Sequence, residues 1–174
     1  MLSLSLNVRL FLIILSLVPF IYFAQNATVN RIGLQGGMNR MDFQIGARYT
    51  YDKHSVKPFA ILEFGINRTI FQKRFFPRLS VGADYSVIKS SMIQFGPQLS
   101  YSYSILKINK SSSHVNQFNE LYGGLYFCYG RKVQFKMALL TGWQNERFYS
   151  TYLGKHEGAN SLVFSINCGV NYAF

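Results

Sequence analysis

Acidic residues are scarce in this chain. Seven Asp and Glu stand against eighteen Lys and Arg in 174 residues, a net charge of +11. Charged residues of both signs make up 14% of the sequence, against roughly 25% in soluble domains. That scarcity excludes a highly charged helical or coiled-coil protein, and a hydrophobic content of 49% excludes a disordered one. Cysteine occurs twice, with no Cys-X-X-Cys and no paired-His spacing, so no metal site of the usual kind is written here. Proline occurs four times. Past residue 24 no stretch approaches the 18 or so uninterrupted apolar residues that a membrane-crossing helix takes. What is abundant is Phe (16), Gly (14) and Tyr (12), in a length that suits one domain.

The first 24 residues read as a secretory signal peptide. Arg9 precedes the apolar run Leu10–Val18, Pro19 breaks it, and Ala24 supplies the small residue at the exit. Cleavage there leaves a mature domain of residues 25–174, with seventeen basic and seven acidic residues. Tyr22 is bulky for its place three residues before the cut, so the exact bond stays open.

The rest of the chain alternates. From Leu162 to Phe174 every second residue is apolar or aromatic, while Ser161, Ser165, Asn167, Gly169 and Asn171 fall between. Strand side chains point to alternate faces, so this is one apolar and one small, mostly polar face. The same pattern runs through Phe43–Tyr51, Leu79–Val87, Ile93–Tyr103 and Val133–Trp143, and more weakly through Ile32–Leu34, Ala60–Ile66 and Leu121–Tyr129. Eight strands are expected, over residues 28–37, 41–51, 56–67, 76–88, 92–105, 119–130, 132–144 and 160–174. Short turns at 51–55, 89–91 and 130–132 alternate with longer polar segments at 67–75, 106–118 and 145–159 and a short link at 37–40. That is an up-and-down meander.

The polar face is rich in Gly, Ser, Gln and Asn, where a soluble barrel would carry long charged residues and Thr. Small polar residues suit the crowded inside of a narrow closed barrel. The apolar face carries Tyr, Phe and Trp near strand ends, as aromatic girdles do. Eight membrane-crossing strands of about 9–11 residues fit the length, and closure satisfies every backbone group in hydrocarbon. The expected fold is all-β, an eight-stranded antiparallel up-and-down transmembrane β-barrel preceded by a signal peptide. Its place is the bacterial outer membrane, with both termini periplasmic.

With its signal peptide, eight alternating segments and the ending Val170-Asn171-Tyr172-Ala173-Phe174, the chain resembles small bacterial outer-membrane β-barrel proteins. More narrowly it is similar to the Bacteroidetes-type, PorT-like group. Val170, Tyr172 and Phe174 resemble the C-terminal signal read by the outer-membrane assembly machinery. The resemblance implies location and assembly route and carries no activity.

Charges on the small-residue face are the sharpest candidate sites. Arg48, Glu63, Arg78, Asp84 and Lys136 all point inward on this parity, with Arg31 and Glu120 nearer the rims. Inside a narrow barrel they should pair, because unpaired burial is costly. A plugging ion-pair network is one reading; a polar path for small solutes is the other. Cys128 falls inward and Cys168 outward, so two free thiols are expected. His54, His114 and His156 lie in expected connections with no nucleophile and carboxylate arranged around them, so no catalytic residue, cofactor or metal is assigned. The basic residues Lys53, Lys89, Lys107, Lys110, Arg131 and Lys132 fall in loops and turns. There they suit anionic lipid headgroups or lipopolysaccharide phosphates, and an exported barrel gives no access to nucleic acid. The expected role is structural, scaffolding or loop-mediated binding, with an envelope protein as a possible partner and accessory work in secretion or envelope assembly left open. A narrow channel and a soluble exported binding barrel are the alternatives.

Overall fold

A computed structural model of the chain describes residues 29–39, 42–52, 55–67, 74–90, 92–106, 115–150 and 153–174. The regular elements among them are all strands. In order they are β1 Val29–Asn39, β2 Asp42–Asp52, β3 Val56–Asn67, β4 Arg74–Tyr85, the two-residue β5 Ile88–Lys89, β6 Ile93–Leu106, β7 Asn116–Tyr129, β8 Val133–Ser150 and β9 Lys155–Ala173. All neighbours pair antiparallel, β4 pairs β6, and β9 returns to β1, so eight long strands close on themselves.

The register fixes the geometry of the cylinder. Moving directly across the ladder from Gly33 leads through Arg48, Ile61, Ser80, Ser102, Glu120 and Gln144 to Ser161. Asn39 of β1 lies opposite Ser165 of β9, so the level of Ser161 meets the β1 line ten residues past Gly33. A stagger of ten over eight strands tilts them about 40° from the barrel axis, and each residue then climbs about 2.5 Å. The eleven residues of β1 or β2 therefore rise about 27 Å. One end of the barrel holds the short connections β2–β3, β4–β6 and β7–β8 and both strand termini. Gly130, at φ 119°, turns the chain tightly between β7 and β8 there. The other end holds the β3–β4 and β6–β7 connections together with the short β1–β2 and β8–β9 links.

Two expectations change. The segment 145–159 is largely strand: β8 and β9 stay paired out to Ser150 and Lys155, past the end of β1. His156 thus stands in β9, its ring edge-on to Tyr149 with centroids 5.3 Å apart. Alternation does run on through Trp143, Asn145 and Arg147, but Asn and charged residues on both faces mask it once the strand leaves the apolar belt. The lumen is also more aromatic than its Gly and Ser suggest. Phe59, Phe76, Tyr122 and Tyr126 are buried inside, each directly opposite a glycine: Gly82, Gly65, Gly142 and Gly96. A Cβ placed on Gly65 would fall among the ring atoms of Phe76. Small and large residues therefore interlock across rungs, which is how a narrow lumen reaches interior density. The leader (residues 1–24), Lys53, His54, Lys107, Lys110 and His114 lie outside the described residues.

Candidate functional site

Burial is inverted relative to a water-soluble domain. Arg48 is 1% exposed, while Leu34 and Phe164 on the outside are 69% and 67% exposed. More than thirty large apolar side chains cover the exterior. At up to about 1.5 kcal/mol each, moving them from water into an apolar medium gains on the order of tens of kcal/mol. The outer wall needs an apolar solvent.

The lumen holds ten buried charges among the described residues, five basic (Arg31, Arg48, Lys57, Arg78, Lys136) and five acidic (Asp42, Asp52, Glu63, Asp84, Glu120). All but Asp42 meet an opposite charge directly, in three tiers. Near the short-turn end, Asp52 meets Arg31 Nε at 3.0 Å, Lys57 Nζ at 3.6 Å and Lys89 Nζ at 3.7 Å. Arg31 also donates from Nη1 to the Arg131 carbonyl at 2.9 Å, tying the β7–β8 turn to the lumen, and Lys57 Nζ donates to Gln94 Oε1. In the middle tier Asp84 Oδ2 takes Arg48 Nη2 at 2.8 Å and Lys136 Nζ at 2.5 Å. Arg48 also donates to Thr50 Oγ1 and Gln35 Oε1, and its guanidinium lies 3.6 Å from the Phe59 ring centroid. Toward the long-loop end the signs reverse: Arg78 sits between Glu63 (3.3 Å) and Glu120 (2.5 Å). Ser80 and Gln35 donate to Glu63 from either side. Above this tier Phe76, Leu106 and Phe118 pack together as an apolar stopper.

All five network residues read from the sequence lie in these tiers. Glu120, expected nearer a rim, is a full member of the third. Asp42, Asp52 and Lys57 add to the lumenal set. Asp52 falls in the segment 51–55 expected as a turn, and Lys57 points inward by the parity of β3. The packing leaves a cavity of about 10 Å³ among Gln35, Gln44, Glu63, Arg78, Ser80 and Gln98, barely room for one water. The two cysteines are unpaired, Cys128 buried and Cys168 exposed on the outer wall. Lys89 is half exposed, and Lys132 stands 5.5 Å from the Tyr172 ring centroid. Val170, Tyr172 and Phe174 all face outward at the C-terminal end of the chain.

The charge balance splits cleanly between inside and outside. The ten buried charges are neutral as a set, and the other two acids, Glu146 and Glu157, also fall on the lumenal side of their strands. The excess of +11 is therefore the balance of the thirteen remaining basic residues against those two acids.

No family model and no curated protein matches this chain. Among solved structures it is similar to a major outer membrane protein from Thermus thermophilus, with TM-score 0.48 and 8% identity over 86% of this chain and 100% of that one. It is also similar to Neisserial surface protein A, with TM-score 0.46 and 14% identity over 84% of this chain and 97% of that one. At identities this low, the functional reading stands on the chain's own geometry.

Proposed function

We propose that this chain is an integral outer-membrane β-barrel protein with a plugged lumen, acting as a membrane-embedded scaffold through its surface and loops. The observation that carries the reading is the inversion of burial: an apolar wall outside and a neutral, ion-paired set of charges inside. A water-soluble exported barrel has no use for such a wall, and a channel has no use for such a lumen. The apolar band of an outer-membrane barrel is about 25 Å tall, close to the rise of β1 and β2. Only a closed barrel or a helix can cross hydrocarbon with its backbone satisfied, and among the described residues no helix is long and apolar enough. On this reading the leader directs export and Val170, Tyr172 and Phe174 present the assembly signal. The termini lie in the periplasm, and the β8–β9 hairpin projects outside. Anionic lipids, lipopolysaccharide and an envelope protein are the partners the reading supports, and a PorT-like accessory role in secretion is its narrowest form.

Membrane fractionation with heat-modifiability on a gel tests it. A band in the outer-membrane fraction that migrates differently before and after boiling is expected. Trp143, the single tryptophan, stands 51% exposed on the outer wall, so brominated lipids should quench its fluorescence. A soluble, unshifted band with unquenched emission would overturn the reading.

A further inference from the structure

The outward face of β7, β8 and β9 changes character rung by rung as it leaves the apolar belt. Leu121, Trp143 and Leu162 form one rung, each about half exposed or more. The next outward rung, about 7 Å further along the strands, is Asn119, Asn145 and Asn160. The one after that is Gln117, Arg147 and Gly158, with Arg147 exposed. Three amides in register followed by one guanidinium is an unusual surface for a strand, since Asn is depleted in sheets.

Two hydrogen bonds engage all three amides. Tyr101 Oη donates to Asn119 Oδ1 at 2.7 Å, and Asn145 Nδ2 donates to Asn160 Oδ1 at 2.7 Å. With both carbonyl oxygens engaged as acceptors, the Nδ2 groups of Asn119 and Asn160 are the donors left to meet an external oxygen. Gly158 keeps the space beside Arg147 open, because a Cβ there would make only an ordinary contact at 3.6 Å. No acid among the described residues stands on this outward side.

We infer that this face is a headgroup site for a phosphorylated glycolipid of the membrane leaflet at the long-loop end. Trp143 and Leu162 contact the acyl chains, the amide rung binds sugar hydroxyls, and Arg147 pairs with a phosphate. The occupant follows from continuity with the lipid-facing belt and from charge: a guanidinium forks onto phosphate oxygens, and amide donors match hydroxyls better than a bare phosphodiester. The assignment rests on the membrane reading above and names one surface within it.

The test uses the full chain refolded into phosphatidylcholine vesicles carrying lipid A, dephosphorylated lipid A or phosphatidylglycerol. After mild detergent extraction, retained lipid is measured by mass spectrometry. Wild type should retain lipid A above both other lipids, and Arg147→Ala should retain about tenfold less, the worth of one charge-assisted hydrogen bond. Asn145→Leu with Asn160→Leu should lower lipid A without changing phosphatidylglycerol. Equal retention of lipid A and phosphatidylglycerol, or an Arg147→Ala protein that retains lipid A like wild type, overturns the site. A chain that fails to float with any vesicle overturns the membrane reading and the site with it.

Discussion

Removing Arg78 is the sharpest test of the plugged lumen. Its guanidinium lies between Glu63 and Glu120, at 3.3 and 2.5 Å, and all three side chains are 3–4% exposed. Arg78→Met keeps much of the volume and removes the cation that the tier's two acids share. Two carboxylates are then left beside a cavity of about 10 Å³, with room for about one water, too little to hydrate both. Breaking a buried pair by removing one partner costs about 3–5 kcal/mol. For a chain of this size each kcal/mol moves the melting midpoint by roughly 2–4 °C, so a fall of roughly 6–20 °C is expected. The assay is the temperature at which the folded, fast-migrating gel band is lost after refolding in detergent. Arg78→Met combined with Glu63→Gln and Glu120→Gln should recover most of the loss, because neutral amides no longer need the guanidinium. A shift of under about 2 °C in the single variant would refute the reasoning, since it would mean that water already solvates this tier.

Wild type in a planar bilayer should pass no steady ion current, whereas Arg48→Ala, which removes the side chain between Asp84, Gln35 and Phe59, should raise it; robust wild-type conductance would remove the plug. Gly65→Val should lower the melting midpoint by several degrees, because the new side chain meets the Phe76 ring and overpacking costs about 1–3 kcal/mol. Pairing it with Phe76→Leu should return part of the loss, and no return would mean that the two positions do not share space. In vesicles, a charged maleimide should label neither cysteine, while a lipid-soluble one should label Cys168 on the outer wall and spare Cys128 in the lumen. Labelling of Cys128 in the folded protein would contradict its place.

The strands were legible wherever the two solvents on either side of the wall differ most. Between Phe43 and Tyr51, or Ile93 and Tyr103, one face must be apolar and the other small or polar, and the two-residue period is hard to miss. It faded beyond Trp143, where both faces meet a polar medium and selection for contrast lapses. The pattern therefore reads as a loop over 145–159, although backbone pairing continues to Lys155. Inward parity alone identified Arg48, Glu63, Arg78, Asp84 and Lys136, because a charge on a narrow barrel's small-residue face has nowhere else to point.

The shortage of acids, the alternation and the polar, small-residue face determined by themselves that the chain is an all-β barrel and, within the apolar belt, which way its side chains face. Period and parity are local properties of a strand, so a sequence carries them wherever the two faces meet different media. Which charges meet depends instead on register, on shear and on neighbours dozens of residues apart. Asp84 joins Arg48 and Lys136 across separations of 36 and 52 residues. The stagger of ten brings these three to nearly one height in the lumen, and no local pattern encodes it. Register also decided that aromatics stand against glycines inside and that three asparagines line up beneath Arg147.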